Sequence, residues 1–320
     1  MLNNLLSMNS EKALVPLGLF LSFALTAVLL QFLSKLLPRD GGRAFAVEGE
    51  KSAGKPRGAG IIFISVFAVM AALFAPMSLE HGLYLVLVFV AMMTGFLDDA
   101  ARTPWGEYLK GALDLMVAIF TTVVFLCNNT TEIRLAVFRT SFVMPTVVFA
   151  ILSVIVIWTS INVTNCSDGV DGLSGGVGIV SLLGFYCFMQ KVGAGTLFAP
   201  MIFVFVAVLL AYLWFNATPS ILMMGDAGSR SLGLFLAICA LKSGDPFIFI
   251  PICLVFILDG GLGLLKVFLL RFLKIHILKN VRTPLHDQVR KVWGWSNTQC
   301  VFRFAIIQIV ICTVVYYLAG

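Results

Sequence analysis

The sequence predicts an all-α integral membrane protein, a bundle of about ten transmembrane helices with its active site on the cytoplasmic face, forming one domain over residues 1–320. Three observations carry that prediction. Hydrophobic residues make up 60% of the chain and charged residues 12%, with a mean hydropathy of +1.00; a soluble globular chain carries about 25% charge. So little polar surface cannot cover a water-facing globule, so lipid must solvate the exterior. The apolar runs are long and lack two-residue alternation, which selects helices over barrel strands. Basic residues gather in alternate loops. Disorder, a secreted disulfide scaffold and a cytosolic enzyme are excluded, and the net charge of +6 is a topology signal that gives no reason to invoke nucleic acid.

In chain order the helices are expected near 13–37, 58–79, 82–97, 107–127, 142–161, 173–192, 196–215, 229–243, 246–270 and 299–319. No repeat of 20–50 residues is visible. Residues 1–12 lack a basic n-region and an A-x-A-like site, so no cleavable signal is expected. The seven cysteines show no CxxC or metal spacing, and neither disulfides nor zinc is expected. If loops alternate sides, Arg39, Arg43, Lys51, Lys55, Arg57, Arg271, Lys274, Lys279, Arg282, Arg290 and Lys291 share one side, against Lys12, Arg134, Arg139, Lys191 and Lys242 on the other. Positive-inside puts the first side in the cytoplasm and both termini outside.

The polar motifs fall on that same side. GFLDDAARTPWG places Asp98 beside Asp99 at the end of the third helix, and like charges so close repel unless a cation or metal sits between them. Lys110 and Asp114, four apart on the next helix, are expected to pair with each other, with Lys110 near enough to the surface to meet a phosphate. In NVTNCSDGVDGLSGG, Asn162, Asn165, Asp168 and Asp171 recur every three residues, so a continuing helix would stack them along one edge. A calcium loop is disfavoured there, because the twelve-residue ligand pattern and terminal Glu are missing. NATPSILMMGDAGSRSLG opens with Asn216 and sets Asp226 in a Gly-flanked turn before a helix, where a hard ion such as Mg2+ would find a carboxylate and complete its shell with phosphate oxygens. A plain helix cap is the alternative. RTPLHDQVRKVWGWSNTQ carries His286 in a basic loop as a phosphate contact or proton carrier, with Trp293 and Trp295 readable as an interfacial belt. Asp259, inside the ninth helix, is either paired with Lys266 or packed near the cytoplasmic rim. Carboxylates gathered among cations at one face suit a metal and an anionic substrate, whereas a proton-coupled transporter tends to keep its acids at the midplane.

In this order the motifs KSAGKPRGAG from Lys51, GFLDD, NVTNCSDGVDGL, MGDAGS and PLH resemble the polyprenyl-phosphate N-acetylhexosamine-phosphate transferase superfamily over nearly the whole chain. The GWSNTQCVFRF stretch and the SINVTNCSDGVDGLSGG wording look most like its MraY group, the phospho-N-acetylmuramoyl-pentapeptide transferases. The resemblance implies ten helices in a bacterial plasma membrane, a cytoplasmic Mg2+ site, UDP-MurNAc-pentapeptide and undecaprenyl phosphate as substrates, and lipid I and UMP as products. It implies Asp98 and Asp99 near the lipid phosphate, Asp226 on Mg2+, and Asp168 and His286 in the catalytic set. Lys51, Lys110, Asn162, Asn165, Asp171 and Asn216 would bind nucleotide and substrate, and a homodimer is common in the family. The chain departs from the pattern at Asp287 and Gln288, where two further histidines are usual, at Met223, where an aromatic is usual, and at Gly54-Lys55-Pro56-Arg57, usually G-T-P-T. A UDP-GlcNAc (WecA-like) transferase and, in another class, a transporter are the competing readings.

Overall fold

The computed structural model describes residues 11–42, 49–101 and 103–319. It is almost wholly helical. Helix α1 (Glu11–Leu33) leads through a 3-10 turn and the loop around Gly49–Ser52 into α2 (Gly60–Phe74), α3 (Leu79–Ala100) and α4 (Glu107–Asn128). A two-stranded antiparallel hairpin, β1 (Glu132–Leu135) and β2 (Thr140–Val143), pairs Ile133 with Phe142 and turns through Arg139 in the left-handed region. Then come α5 (Thr146–Cys166), α6 (Leu173–Val192), α7 (Ala199–Asn216) and α8 (Gly225–Lys242). The next apolar run is two helices, α9 (Pro246–Ile252) and α10 (Leu254–Leu273), bent by 71°. Helix α11 (Leu285–Lys291) and α12 (Asn297–Leu318) complete the chain.

All ten expected runs are helical, but not all have the length and composition of a membrane span. Among the described residues α1, α3, α4, α5, α6, α7 and α12 qualify, seven spans, and the bent pair α9–α10 makes up to eight. Helix α2, at 15 residues, is short. Helix α8 begins in the polar run GDAGSRS, and every residue from Gly225 to Leu241 is buried. Neighbouring helices rather than lipid solvate it, chiefly α3 and α5. A helix walled in by protein can carry polar groups wherever a partner meets them. Its far half joins an aromatic core, with Phe235 stacked on Phe205 at 4.7 Å and Phe67 packed on Phe205 at 4.5 Å. Phe20, Phe32, Phe120, Trp214 and Phe302 point outward from the rim, as a lipid-facing surface requires. The seven cysteines are all free.

Each end of the bundle has its own polar cluster. At the end formed by the start of α3 and the ends of α4 and α8, Lys242 Nζ contacts Glu80 Oε1 at 2.9 Å and Asn129 Oδ1 at 2.8 Å, while Tyr84 donates to Glu80 at 2.9 Å. The acidic motifs lie at the other end.

Candidate active site

The site is built where α2, α3 and α8 cross at close quarters. A Cβ on Gly60 would run into the backbone of Gly228, and one on Gly95 into the carbonyl of Asp226, so only glycine permits the approach. That approach brings the end of α3 against the start of α8. Asp99 Oδ2 accepts from the Ala227 amide at 3.3 Å, and Asp99 Oδ1 meets Arg57 Nε at 2.8 Å. Asp98 accepts from the Trp105 amide at 2.7 Å and contacts Lys110 Nζ. Asp226 faces three cations: Arg57 at 3.3 Å, Lys110 at 3.5 Å and Arg230 at 3.6 Å. Arg230 in turn binds Asp114 at 3.0 Å. The repulsion expected between Asp98 and Asp99 is thus relieved by a separate cation on each. Burial opposes the charge on Arg57, but Asp99, Asp226, Asp40 and Asp168 outweigh it and hold the guanidinium above its ordinary pKa.

Beside this cluster lies a cavity of about 720 Å³, of a size that suits a large polar ligand. Lys55, Asp168, Asp171, Met223, His286 and Arg290 are among its lining residues. Two short links join it to the carboxylates: Lys55 pairs with Asp171 at 3.6 Å two residues before Arg57, and Met223 lies three residues before Asp226. His286 is buried, its amide donating to Asp259 Oδ1 at 2.7 Å and its Nδ1 lying 2.8 Å from Asp259 Oδ2. Burial disfavours the imidazolium, yet Asp259, and less strongly Asp287, more than offset it and raise the ring's pKa above its ordinary value.

Two expectations about pairing are corrected, and of the two readings of Asp259 the pairing with Lys266 is not found. Asp114 does not pair with Lys110; the lysine reaches Asp98 and Asp226, and Asp114 takes Arg230. Asn162, Asn165, Asp168 and Asp171 do not form one stack, because α5 stops at Cys166. Asn162 turns to Asp114 at 3.5 Å and Asn165 to Ser229 at 2.9 Å, while Asp168 and Asp171 line the cavity and Asp171 accepts from the Ser220 amide. Asp259 binds His286 rather than Lys266, whose ammonium instead donates to the carbonyls of Leu278 and Val281. Asn216 lines the cavity with both polar atoms engaged, accepting from the Gly172 amide and donating to the Leu222 carbonyl at 2.8 Å each. Trp295 also lines the cavity, with Arg303 stacked 4.3 Å from its ring centre. The side chain of Lys51 lies outside the described residues. Sequence reasoning gave Arg57, Arg230 and Asp114 no site role. For the two arginines the signal available was an unneutralised charge in a chain that has few, whereas the spacing to Lys110 gave Asp114 a local partner and hid its role.

Among the described residues no three His, Cys, Asp or Glu side chains form a cage that could hold a metal by themselves. Asp226 with Asp99 beside it still suits Mg2+, which takes one or two protein carboxylates and fills its shell with water and substrate phosphate. Cations, buried carboxylates and a cavity with charged residues in its lining share one end of a lipid-facing bundle, the architecture of a membrane protein whose site suits an anionic ligand. The family model described as glycosyl transferase family 4 matches residues 81–244, about half the chain. The phospho-N-acetylmuramoyl-pentapeptide-transferase of Treponema pallidum (strain Nichols) is 42% identical over 94% of this chain and 88% of its own length. Proteins of the same name from Bartonella quintana, 29% identical over 82% of this chain and 79% of their own, and Thermotoga neapolitana, 26% identical over 90% and 94%, are also similar. The chain belongs to glycosyl transferase family 4 and, within it, to the phospho-N-acetylmuramoyl-pentapeptide-transferases.

Proposed function

We propose that this chain transfers phospho-MurNAc-pentapeptide from UDP-MurNAc-pentapeptide to undecaprenyl phosphate, giving lipid I and UMP for peptidoglycan synthesis. The observation that carries the reading is the 42% identity, over 94% of the chain, to a protein named for that transfer. The charged cavity beside the Asp98, Asp99 and Asp226 cluster supports it. Phosphoryl transfer asks for charge neutralisation and in-line positioning more than for covalent chemistry. Lys55, His286 and Arg290 hold the donor's phosphates along the cavity, with Asp168 and Asp171 oriented toward its polar groups. Lys110 and Arg57 receive the acceptor phosphate, and Asp98 takes its residual proton. Mg2+, held by Asp226 with Asp99 adjacent, would neutralise diphosphate charge and ease departure of UMP. The basic loops support a cytoplasmic site with both termini outside, in a bacterial plasma membrane. A homodimer belongs to the same reading and rests on the family resemblance alone.

The test offers purified protein undecaprenyl phosphate with either UDP-MurNAc-pentapeptide or UDP-GlcNAc and follows UMP. Release is expected with the first donor, lost on chelation, and abolished in Asp226→Ala and Asp98→Asn. Turnover of UDP-GlcNAc alone would move the chain to the WecA-like reading. Substrate flux without UMP would make it a transporter, and near-normal turnover in either variant would remove that residue's role.

A further inference from the structure

Asp259 sits where the backbone of α10 widens into a π-helical stretch over Ile257–Gly261, and it is 1% exposed. Such bulges recur at functional positions. Its two carboxylate oxygens serve one residue: Oδ1 accepts from the His286 amide at 2.7 Å, and Oδ2 lies 2.8 Å from His286 Nδ1. A carboxylate can only accept, so with Asp259 in that form the contact assigns the proton to Nδ1 and turns Nε2 away from Asp259. Nε2 faces Gly169 in the SDGVDG loop so closely that a Cβ there would collide with it. His286 itself is 3% exposed, yet it lines the cavity with Asp168 and Asp171. The ring is thus held at Nδ1 by Asp259, while Nε2 lies on the side of Gly169 and Asp287, residues that line the same cavity.

We infer that Asp259 is a positioning residue of the transferase, holding His286 through Nδ1–H and favouring the imidazolium, whose second hydrogen, on Nε2, is presented to a phosphate oxygen of the donor. The inference deepens the transferase reading and rests on it. A carboxylate behind an imidazole orients the ring and favours its protonated form, the state that suits an anionic ligand. Among the described residues, Asp287 and Arg290 on α11 also act on the ring, Lys55, Asp168, Asp171 and Cys166 line the same cavity, and Cys300 on α12 lies within electrostatic reach of Asp259, Asp287 and Arg290. Asp287 Oδ1 lies 3.9 Å from Nε2, against 2.8 Å for the Asp259 contact, so it is the weaker partner.

The chain has three histidines, so imidazole nitrogens can be followed one by one in 15N-histidine-labelled protein in detergent, with His286→Gln assigning the signal. Wild-type protein is expected to show a neutral His286 protonated on Nδ1, titrating above 6.5. In Asp259→Asn that titration should move to lower pH, and the alkaline limb of kcat/KM for UMP release should move with it. Loss of kcat/KM at neutral pH should be on the order of 10-fold or more. Asp259→Glu should restore both the tautomer and the pH profile. An Nε2-protonated neutral ring in the wild type would overturn the inference without any variant. An unmoved titration or an unmoved kcat/KM profile in Asp259→Asn would overturn it as well. If the wild type releases no UMP, the transferase reading fails, while the nitrogen spectra still decide whether Asp259 sets the state of His286.

Discussion

Asp114 shows how a local rule can be outvoted. Four residues from Lys110, it has the spacing of a helix-surface ion pair, an interaction of about 0.2–0.5 kcal/mol. Its carboxylate turns inward instead to Arg230, 116 positions away, and both side chains are almost fully buried. A buried charge needs its partner far more than an exposed one, because removing one member strands the other away from water. Asp114→Ala should therefore destabilise the protein by about 3–5 kcal/mol. Thermal unfolding in detergent would register the loss, and the double change Asp114→Leu with Arg230→Leu should recover most of it. A single variant as stable as the wild type would show that the pair contributes nothing. Spacing alone could not have found this pairing, since it depends on how α4 and α8 are rotated against each other.

Helix α8 organises the site at the scale of elements. Hydropathy placed its start near residue 229, four residues after the observed Gly225, because GDAG is too polar for a lipid-facing span. Contact with α2 and α3 stabilises those residues, and the contact depends on glycines at the crossing. Gly95→Ala would push its methyl into the Asp226 carbonyl, and overpacking of this kind costs about 1–3 kcal/mol or more when backbone must move. Folded yield and UMP release should fall together. Gly111 on α4 serves as the control, since its nearest neighbour would be Trp158 at 3.9 Å. There, Gly111→Ala should raise stability by about 0.5–1 kcal/mol, the ordinary preference for alanine within a helix. Equal outcomes at the two positions would mean that the crossing is looser than the geometry indicates.

For the whole molecule, the polar content divides between two ends with different chemistry. One end holds the cavity and the carboxylate cluster. The other holds the Glu80, Asn129 and Lys242 network and the hairpin from Glu132 to Val143, two elements that hydropathy does not see. The charge asymmetry of the loops predicts that the cavity end faces the cytoplasm. In a background with Cys127 and Cys187 replaced by Ser, Ser141→Cys on the hairpin should react with a membrane-impermeant maleimide in intact bacterial spheroplasts. Ser296→Cys beside the cavity should react only after permeabilisation. The reverse pattern would invert the proposed orientation.

The sequence by itself determined the class of protein, the order of its helices and the motifs that mark the family, because lipid penalises exposed backbone and charge so heavily that few arrangements remain. It also singled out Asp98, Asp99, Asp226 and His286 as residues whose polarity needs a reason. Tertiary structure decided their partners: Arg57 for Asp99, Lys110 for Asp98, Arg230 for Asp114 and Asp259 for His286. Those choices join residues far apart in the chain, and side-chain electrostatics falls off over a few ångströms, so only the rotation and crossing of packed helices could settle which charge meets which.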